Sequence, residues 1–468
     1  MGTSEDNVLH FMSTKLPQEI ENLIKEGEFR KARNELKSLL PSSHGSTRRR
    51  IEFELDRLER WYYQYPYSLE EALGELKKRI PDITTEDILS LIREGCIDYK
   101  TIEGEIRIFQ RFVPNLFWLC PKLKERAIPE RDEQMERSKK ALRDRVFKTM
   151  EVGRLRKGHL LPLKYRIRAT VTVKPHIVPK DAKLRIWIPL PRRCDMHPEV
   201  NVLDSSHEPY ISGESYPQRT AYFEVTASEE GTEVWIEYEV LSRSFYVDLK
   251  PSEVEYEVNT QDGMGERIPH IMFTDRLRHL AFSIVEGEDN PLMKARKIWD
   301  WIIDNVIYTY VHDYALFDNI SEFVALKRRG DCGIQAILFI TLLRIVGIPA
   351  KWQSGWYANP VKPGMHDWAQ FYIEPYGWLY ADPSFGHPRD GQDWRRDFYF
   401  GNIEGFRLAF NSEISYRFDP PKEHFRSDPV DSQRGEVEWD GGNLYYNDWD
   451  FSLQILDVKS VRTINPLE

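Results

Sequence analysis

Apolar residues in the first third of the chain recur at intervals of three and four, which is the period of amphipathic helices. Residues 23–40 carry this pattern on both sides of Gly27 and predict two short antiparallel helices. Ser68 with Glu71, and Thr84 with Asp87, have the spacing of N-terminal capping boxes and predict two further helix starts. The chain is therefore expected to begin with a helical region.

The apolar period changes to two between Leu163 and about Pro251. Three stretches there alternate apolar and polar residues, as strands with one buried face do. Their apolar positions are Tyr165, Ile167, Ala169, Val171 and Val173; Leu184, Ile186 and Ile188; and Val234, Ile236, Tyr238 and Val240. Short strands separated by turn-rich segments predict an antiparallel β-sandwich.

Helical periodicity returns near residue 270. Asn290 as cap and Pro291 at the first helical position predict one helix start, and Gly330 with Asp331 predicts another. Aromatic strands follow to about residue 400, and EVEWDGGNLYY predicts a hairpin near the C-terminus.

These changes divide the 468 residues into four predicted units, and the length alone favours several domains. They are a helical N-terminal region with a linker helix (1–160), a β-sandwich domain (161–260), a mixed core (261–410) and a C-terminal β or extended segment packing on the core (411–468). The expected fold class is α+β multidomain.

Composition removes several classes of function. With 41% hydrophobic and 30% charged residues, the chain has the composition of a folded protein. No apolar run reaches the roughly 18–20 residues of a membrane span. A formal net charge of −10 argues against a nucleic-acid partner. The start MGTSEDNVLHF lacks the basic and apolar regions of a signal peptide, which predicts a cytoplasmic protein.

The four cysteines, Cys96, Cys120, Cys194 and Cys332, show no CxxC pair or regular spacing, so we expect free thiols, no metal and no cofactor. Residues 68–109 combine the capped helices with a predicted hairpin and hold 6 Lys or Arg against 10 Asp or Glu. That negative balance favours docking of a protein partner over DNA binding for the N-terminal region.

Cys332 occupies the first turn of a strongly apolar helix that Gly347 and Pro349 end. Free backbone N–H groups and the helix dipole favour thiolate there, and Lys327, Arg328 and Arg329 add positive charge while Asp331 opposes it. The position therefore predicts a reactive thiol, although an isolated cysteine is more often a packed residue.

A thiolate nucleophile needs an imidazole, and the imidazole needs an orienting group. His366 begins a predicted strand, a turn follows at 375–377, and Asp382 ends the return strand. Counted from the turn, His366 and Asp382 lie roughly opposite each other. His312 with Asp313, and His387 with Asp390, are expected to be surface loop residues.

Three blocks, RRGDCGIQAILFITLLRIVGIPAKW, HDWAQFYI and GWLYADPSF, resemble the transglutaminase-like superfamily in residues, order and separation. The resemblance covers residues 280–400 closely and implies a papain-like core in which the cysteine helix packs on an antiparallel sheet. It implies Cys332 as nucleophile, His366 as general base and then acid, and Asp382 as orienting carboxylate.

The resemblance also implies an oxyanion hole that includes the backbone N–H of Cys332. Gln353 and Tyr310 are the candidates for its second donor. Trp352, Trp356 and Trp368 are candidates for a substrate cleft, although strand packing is the more common role for such residues.

The expected chemistry is acyl transfer from an amide of a peptide or protein through a thioester on Cys332. Hydrolysis is favoured narrowly over cross-linking to an amine, because water is always present. A glycan-releasing amidase remains an enzymatic alternative. A binding or assembly protein with a vestigial triad is the alternative from another class, and an unreactive Cys332 would favour it.

Overall fold

In the computed structural model, which describes residues 6–129, 132–388 and 393–461, the N-terminal region is helical with one hairpin, as predicted. Its elements are α1 (Gln18–Glu26), α2 (Phe29–Leu39), α3 (Gly45–Gln64), α4 (Leu69–Lys77), α5 (Thr85–Arg93), β1 (Tyr99–Ile102), β2 (Glu105–Ile108), α6 (Phe112–Leu119) and α7 (Glu133–Leu155).

Local signals explain where these helices begin and end. Both predicted capping boxes form, at Ser68 with Glu71 and at Thr84 with Asp87. Gly27 joins α1 to α2 at a φ of +80°, and a Cβ there would overlap the backbone of Thr101. The turn therefore requires glycine.

The expectation of four free thiols is wrong for one pair. Cys96, just after α5, and Cys120, at the end of α6, are disulfide-bonded with their Cα atoms 6.0 Å apart. The two helices pack in one apolar cluster with Ile88, Leu91 and Leu116, which brings the cysteines together. Their separation of 24 residues carries no signal of this packing.

The predicted β-sandwich is present and has two antiparallel sheets. Its strands from the middle of the chain are β3 (Gly158–Val173), β4 (Lys183–Pro189), β5 (Val200–Ser205), β6 (Tyr210–Ile211), β7 (Thr220–Thr226) and β8 (Thr232–Tyr246). The apolar positions that alternate in β3, β4 and β8 are buried between the sheets. Hydrophobic burial on one face of each strand thus explains the period of two.

The C-terminal strands complete both sheets of the sandwich. They are β16 (Glu436–Trp439), β17 (Gly442–Leu444) and β18 (Trp449–Ser460). β16 pairs with β4, and β18 pairs with β3. The segment from 411 was expected to pack on the core; its strands belong to the sandwich sheets, and the loop before β16 reaches the core strands.

The core surrounds one buried helix. Its helices are α8 (Asp275–Ile284), α9 (Pro291–Asn305), α10 (Ile320–Lys327), α11 (Cys332–Ile345), α12 (Pro383–Gly386) and α13 (Trp394–Phe398). Its strands are β9 (Ile307–Tyr308), β10 (Arg329–Gly330), β11 (Ala350–Tyr357), β12 (Gly364–Ile373), β13 (Gly377–Ala381), β14 (Phe400–Gly401) and β15 (Arg407–Asn411).

The main core sheet is antiparallel with the order β14-β13-β12-β11-β15. α11 packs on it through Ala369 and Phe371 of β12, which are fully buried. The fold class is α+β multidomain, as predicted; the boundaries between the four predicted units stay predictions. Within the described residues, no helix combines the length and the apolar character needed to cross a membrane.

Candidate active site

Cys332 is the first residue of α11. The side chain of Asp331 caps the helix by accepting from the backbone N–H of Ile334 at 3.2 Å. Residues 333–345 are all buried, whereas Cys332 is partly exposed. The helix therefore presents a thiol at the surface end of an otherwise buried element.

The thiol opens on a cleft with a volume of about 480 Å³. Five parts of the chain form its walls: the N-terminal helical region, the segment 308–314, the start of α11 at 331–332, the start of β12 at 365–367, and the loops between 427 and 447. Their charged side chains in the lining include Arg60, Arg111, Asp313, Asp331, Asp428 and Arg434. The N-terminal region is thus part of the cleft.

The hydrogen-bond partner of the Cys332 thiol is Asp367. Its carboxylate oxygen accepts from the sulfur at 3.3 Å. Burial, together with the negative charges of Asp367 and Asp331, raises the pKa of Cys332 well above its ordinary value. The arrangement favours the thiol form.

The positive charges that the sequence placed near Cys332 are directed elsewhere. Arg329 pairs with Asp98 of the N-terminal region. The guanidinium of Arg328 stacks on Trp301 at 4.2 Å. The sequence predicted a lowered pKa for the Cys332 thiol, whereas the surroundings in the structure raise it.

His366 and Asp382 lie together, as counting from the turn predicted. Nε2 of the imidazole is 2.7 Å from Oδ2 of Asp382, because β12 and β13 pair with Ala369 opposite Ala381. Both side chains are buried. Asp382 also accepts from the backbone N–H of Phe385 at 3.0 Å, which fixes its position at the start of α12.

A third buried residue, Arg407, forms an ion pair with Asp382. Its Nη2 is 2.9 Å from Oδ2 of Asp382, and its Nε donates to Glu404 at 3.0 Å. Burial alone would raise the pKa of Asp382, but the charges of His366 and Arg407 lower it to about 2. Burial lowers the pKa of His366, and Asp382 opposes that change only in part.

His366 and Asp367 are neighbours on a strand, so their side chains point to opposite faces of the sheet. Asp367 faces α11 and Cys332. His366 faces Trp368, Phe385 and Arg407 on the other side. Among the described residues, no hydrogen bond joins Cys332 to His366. The structure brings His366 to Asp382 but leaves the thiol with Asp367.

The two candidate oxyanion donors have different positions. Tyr310 lines the cleft with Cys332, and the guanidinium of Arg111 stacks on its ring at 3.5 Å. Gln353 is buried, and its side-chain oxygen accepts from Trp368 Nε1 at 2.7 Å. Gln353 therefore lies on the His366 face, away from the thiol.

The three candidate tryptophans pack within the sheet. Trp352 and Trp368 are buried, and Trp356 donates from Nε1 to the backbone of Gln433 at 2.9 Å. None of them is among the described residues of the cleft lining. Its aromatic side chains are Tyr63, Tyr308, Tyr310, His312, Tyr314, Tyr445 and Tyr446.

Several residues of the cleft were missed from the sequence. Alternation along β12 could have identified Asp367, because it lies on the face that Ala369 and Phe371 bury against α11. His312 and Asp313, expected on a surface loop, line the cleft. Asp390 lies outside the described residues.

Among the described residues, one group of potential metal ligands, Glu94, Cys96 and Cys120, has its ligand atoms within 4.8 Å of one another. The two cysteines are bonded to each other in this structure, so neither offers a thiolate.

Comparison with known proteins identifies the core. Residues 278–383 match the sequence model of the transglutaminase-like superfamily. This segment contains Cys332, His366 and Asp382, so the resemblance predicted from the three sequence blocks is confirmed.

Similar proteins carry little functional information. An uncharacterized protein of Haemophilus influenzae is 23% identical over 304 residues, 53% of this chain and 79% of that protein. The uncharacterized protein YebA of Bacillus subtilis is 24% identical over 137 residues, which is 25% of this chain and only 18% of YebA.

Two solved structures are also similar. A candidate cysteine protease from Cytophaga hutchinsonii is 19% identical, covering 65% of this chain and 93% of that one, with a TM-score of 0.42. The periplasmic domain of TgpA from Pseudomonas aeruginosa is 16% identical, covering 53% and 94%, with a TM-score of 0.26.

Proposed function

We propose that this protein, whose residues 278–383 match the transglutaminase-like superfamily, is a cysteine-dependent acyl-transfer enzyme acting on amide bonds of peptides or proteins. The observation that carries the proposal is Cys332 itself, a partly exposed residue at the first turn of a buried helix that lines a cleft of about 480 Å³. Such a cleft is large enough for a peptide segment.

In the proposed reaction the sulfur of Cys332 attacks the amide carbonyl. A thioester forms, the C–N bond breaks, and the leaving amine takes a proton. Water then attacks the thioester, which releases a carboxylic acid and returns the thiol. The backbone N–H of Cys332, at the free end of α11, is the first proposed donor to the oxyanion.

His366 is the proposed acid and base of this reaction, and Asp382 its orienting carboxylate. The hydrogen bond of 2.7 Å between them supports the orienting role. In this proposal the imidazole reaches the thiol by a local rearrangement at the start of β12, where Gly364 and Met365 are not buried.

Hydrolysis is the proposed outcome, since water needs no binding site of its own. Transfer to a lysine amine remains the alternative, and the acidic side chains of the cleft would attract such an amine. The tyrosines of the lining also suit a sugar ring, which keeps a glycan-releasing amidase as a further alternative. Docking of a protein partner on the N-terminal region stays a prediction. It does not follow from the observation that this region forms one wall of the cleft.

The test is product analysis by mass spectrometry. The full chain is incubated with a peptide mixture and with a glycopeptide, each with and without a primary amine. New carboxyl termini indicate hydrolysis, and amine adducts indicate transfer. Activity should vanish in Cys332→Ala and persist in Cys194→Ala, which removes the other free thiol. Equal products from wild type and Cys332→Ala would refute the proposal.

A binding or assembly protein is the second candidate, and one observation favours it. The thiol of Cys332 donates to Asp367 rather than to His366, and its pKa is raised. The rate of Cys332 alkylation by iodoacetamide against pH separates the two candidates. A pH profile that shifts in His366→Ala supports the enzyme, because the imidazole then acts on the thiol; a profile that His366→Ala leaves unchanged supports the binding protein.

A further inference from the structure

Two buried carboxyl groups without a role in the proposed reaction lie beside the thiol of Cys332. Asp367 accepts from the sulfur at 3.3 Å, and Gln433 donates to its other oxygen at 2.6 Å. Asp431, from the loop before β16, lies against Asp367. Asp367 is 4% exposed and Asp431 only 2%.

The two oxygens of Asp431 have different surroundings. Oδ1 accepts from Asn411 Nδ2 at 2.8 Å and from the hydroxyl of Ser354. Oδ2 is buried and has no donor in the described part of the chain. A protonated Asp367, or a proton on Asp431 itself, would give this oxygen a hydrogen bond.

Within the described residues, neither Asp367 nor Asp431 forms an ion pair with a Lys, Arg or His. Two buried carboxyl groups in contact cannot both ionise without a cation, because their repulsion adds to the cost of burying each charge. One proton shared between them leaves a single negative charge on the pair. That charge lies next to the sulfur and opposes its ionisation.

The other charged groups around this point do not reverse the effect. The carboxylate of Asp331, the cap of α11, adds negative charge near the thiol. The Tyr314 hydroxyl donates to the carboxylate of Asp331 at 2.7 Å. From the C-terminal loops come Asp428, Arg434 and Arg426. The guanidinium of Arg434 stacks on Tyr446 at 4.6 Å. Arg426 donates to the backbone carbonyl of Asp431, and its Nε is 3.8 Å from the carboxylate of Glu436, so its charge is shared with a third acidic group. His366 lies on the opposite face of β12. The surroundings of Cys332 are therefore mainly acidic.

We propose that Asp367, paired with Asp431 through one shared proton, is a positioning residue that holds Cys332 in its thiol form. The inference rests on the proposed function only in taking Cys332 as the nucleophile. Its consequence is that Cys332 resists oxidation and alkylation near neutral pH, and that its reactivity rises only in alkaline solution.

The experiment measures alkylation of Cys332 by iodoacetamide in the full chain from about pH 5 to 10, with peptide mapping. Asp367→Asn removes the charge next to the sulfur, so its profile should move to lower pH and its rate at neutral pH should rise about tenfold or more. Asp431→Asn should react no faster than wild type, because Asp367 then carries the whole charge. Cys194 should keep its wild-type rate in both variants, which shows that they are folded.

An unchanged profile in Asp367→Asn would overturn the proposal. So would an Asp431→Asn variant as fast as Asp367→Asn, since the two groups would then act independently. If Cys194 reacts faster in Asp367→Asn, that variant is not correctly folded, and Asp431→Asn becomes the test. Faster alkylation of Cys332 in Asp431→Asn would then refute the shared proton. These outcomes do not depend on a substrate, so the inference can hold even if the proposed enzymatic function fails. The enzymatic function can likewise hold if Asp367 proves to have no effect on the thiol.

Discussion

Replacing Asp382 with Asn tests whether the buried network around His366 contributes to stability. The carboxylate is 2.7 Å from His366 Nε2 and 2.9 Å from Arg407 Nη2, and all three side chains are buried. The fall of the Asp382 pKa from its ordinary 3.8 to about 2 measures how strongly the folded protein favours the charged form. It corresponds to about 2 kcal/mol of stability near neutral pH.

The sign of the pH dependence follows from the same shift. Because the pKa is lower in the folded chain, the contribution of Asp382 is present above about pH 4 and is lost as the pH falls toward 2. The difference in unfolding free energy between wild type and Asp382→Asn should therefore shrink to about half near pH 3.

Urea unfolding followed by tryptophan fluorescence measures this difference. Asp397→Asn is the matched control, because Asp397 pairs with Arg296 at a similar 2.8 Å but its side chain is 78% exposed. We expect the control to lose less than about 1 kcal/mol. If Asp382→Asn loses no more than Asp397→Asn, the carboxylate does not stabilise the fold in the way its burial implies.

Two further predictions concern local geometry. A Cβ on Gly333 would overlap the Tyr314 hydroxyl and lie 2.7 Å from Asp367 Oδ2, so Gly333→Ala should cost about 1–3 kcal/mol in urea unfolding. Gly74→Ala in α4, where nothing lies within 4 Å, should instead stabilise by up to about 1 kcal/mol, and equal losses would contradict the packing argument. Ser68→Ala removes a cap that accepts from the Glu71 backbone at 3.3 Å and should cost about 1 kcal/mol. Ser38→Ala, at an exposed position of α2, should cost nothing measurable. A loss as large as that of Ser68→Ala would show that the effect does not come from the cap.

The sequence predicted the elements whose signals are local. A capping box, the Gly27 turn, and Asn290 with Pro291 each involve residues within a few positions of one another, and all appear in the structure. The alternation in β8 was equally clear, because one face of that strand is buried along its whole length. The start of the helix at Cys332 was also predicted, from Asp331 as its cap.

Pairings over long separations were not predictable in the same way. β18 pairs with β3 across more than two hundred residues, and Arg407 reaches Asp382 from another strand. No short pattern encodes such contacts, because the packing of many residues selects them together. The same reason explains why Asp431 and the Cys96–Cys120 bond were missed.

The two faces of β12 carry two different polar clusters, so substitutions on the two faces should have different effects. His366, Asp382 and Arg407 are sealed inside the protein, so substituting one of them should change stability first. Cys332 and Asp367 border the cleft, so a substitution there should change thiol reactivity first. If Asp382→Asn also alters Cys332 alkylation in the folded protein, the imidazole and the thiol communicate across the strand, as the proposed enzyme requires. If it alters stability alone, the sealed cluster is structural and Cys332 depends on Asp367.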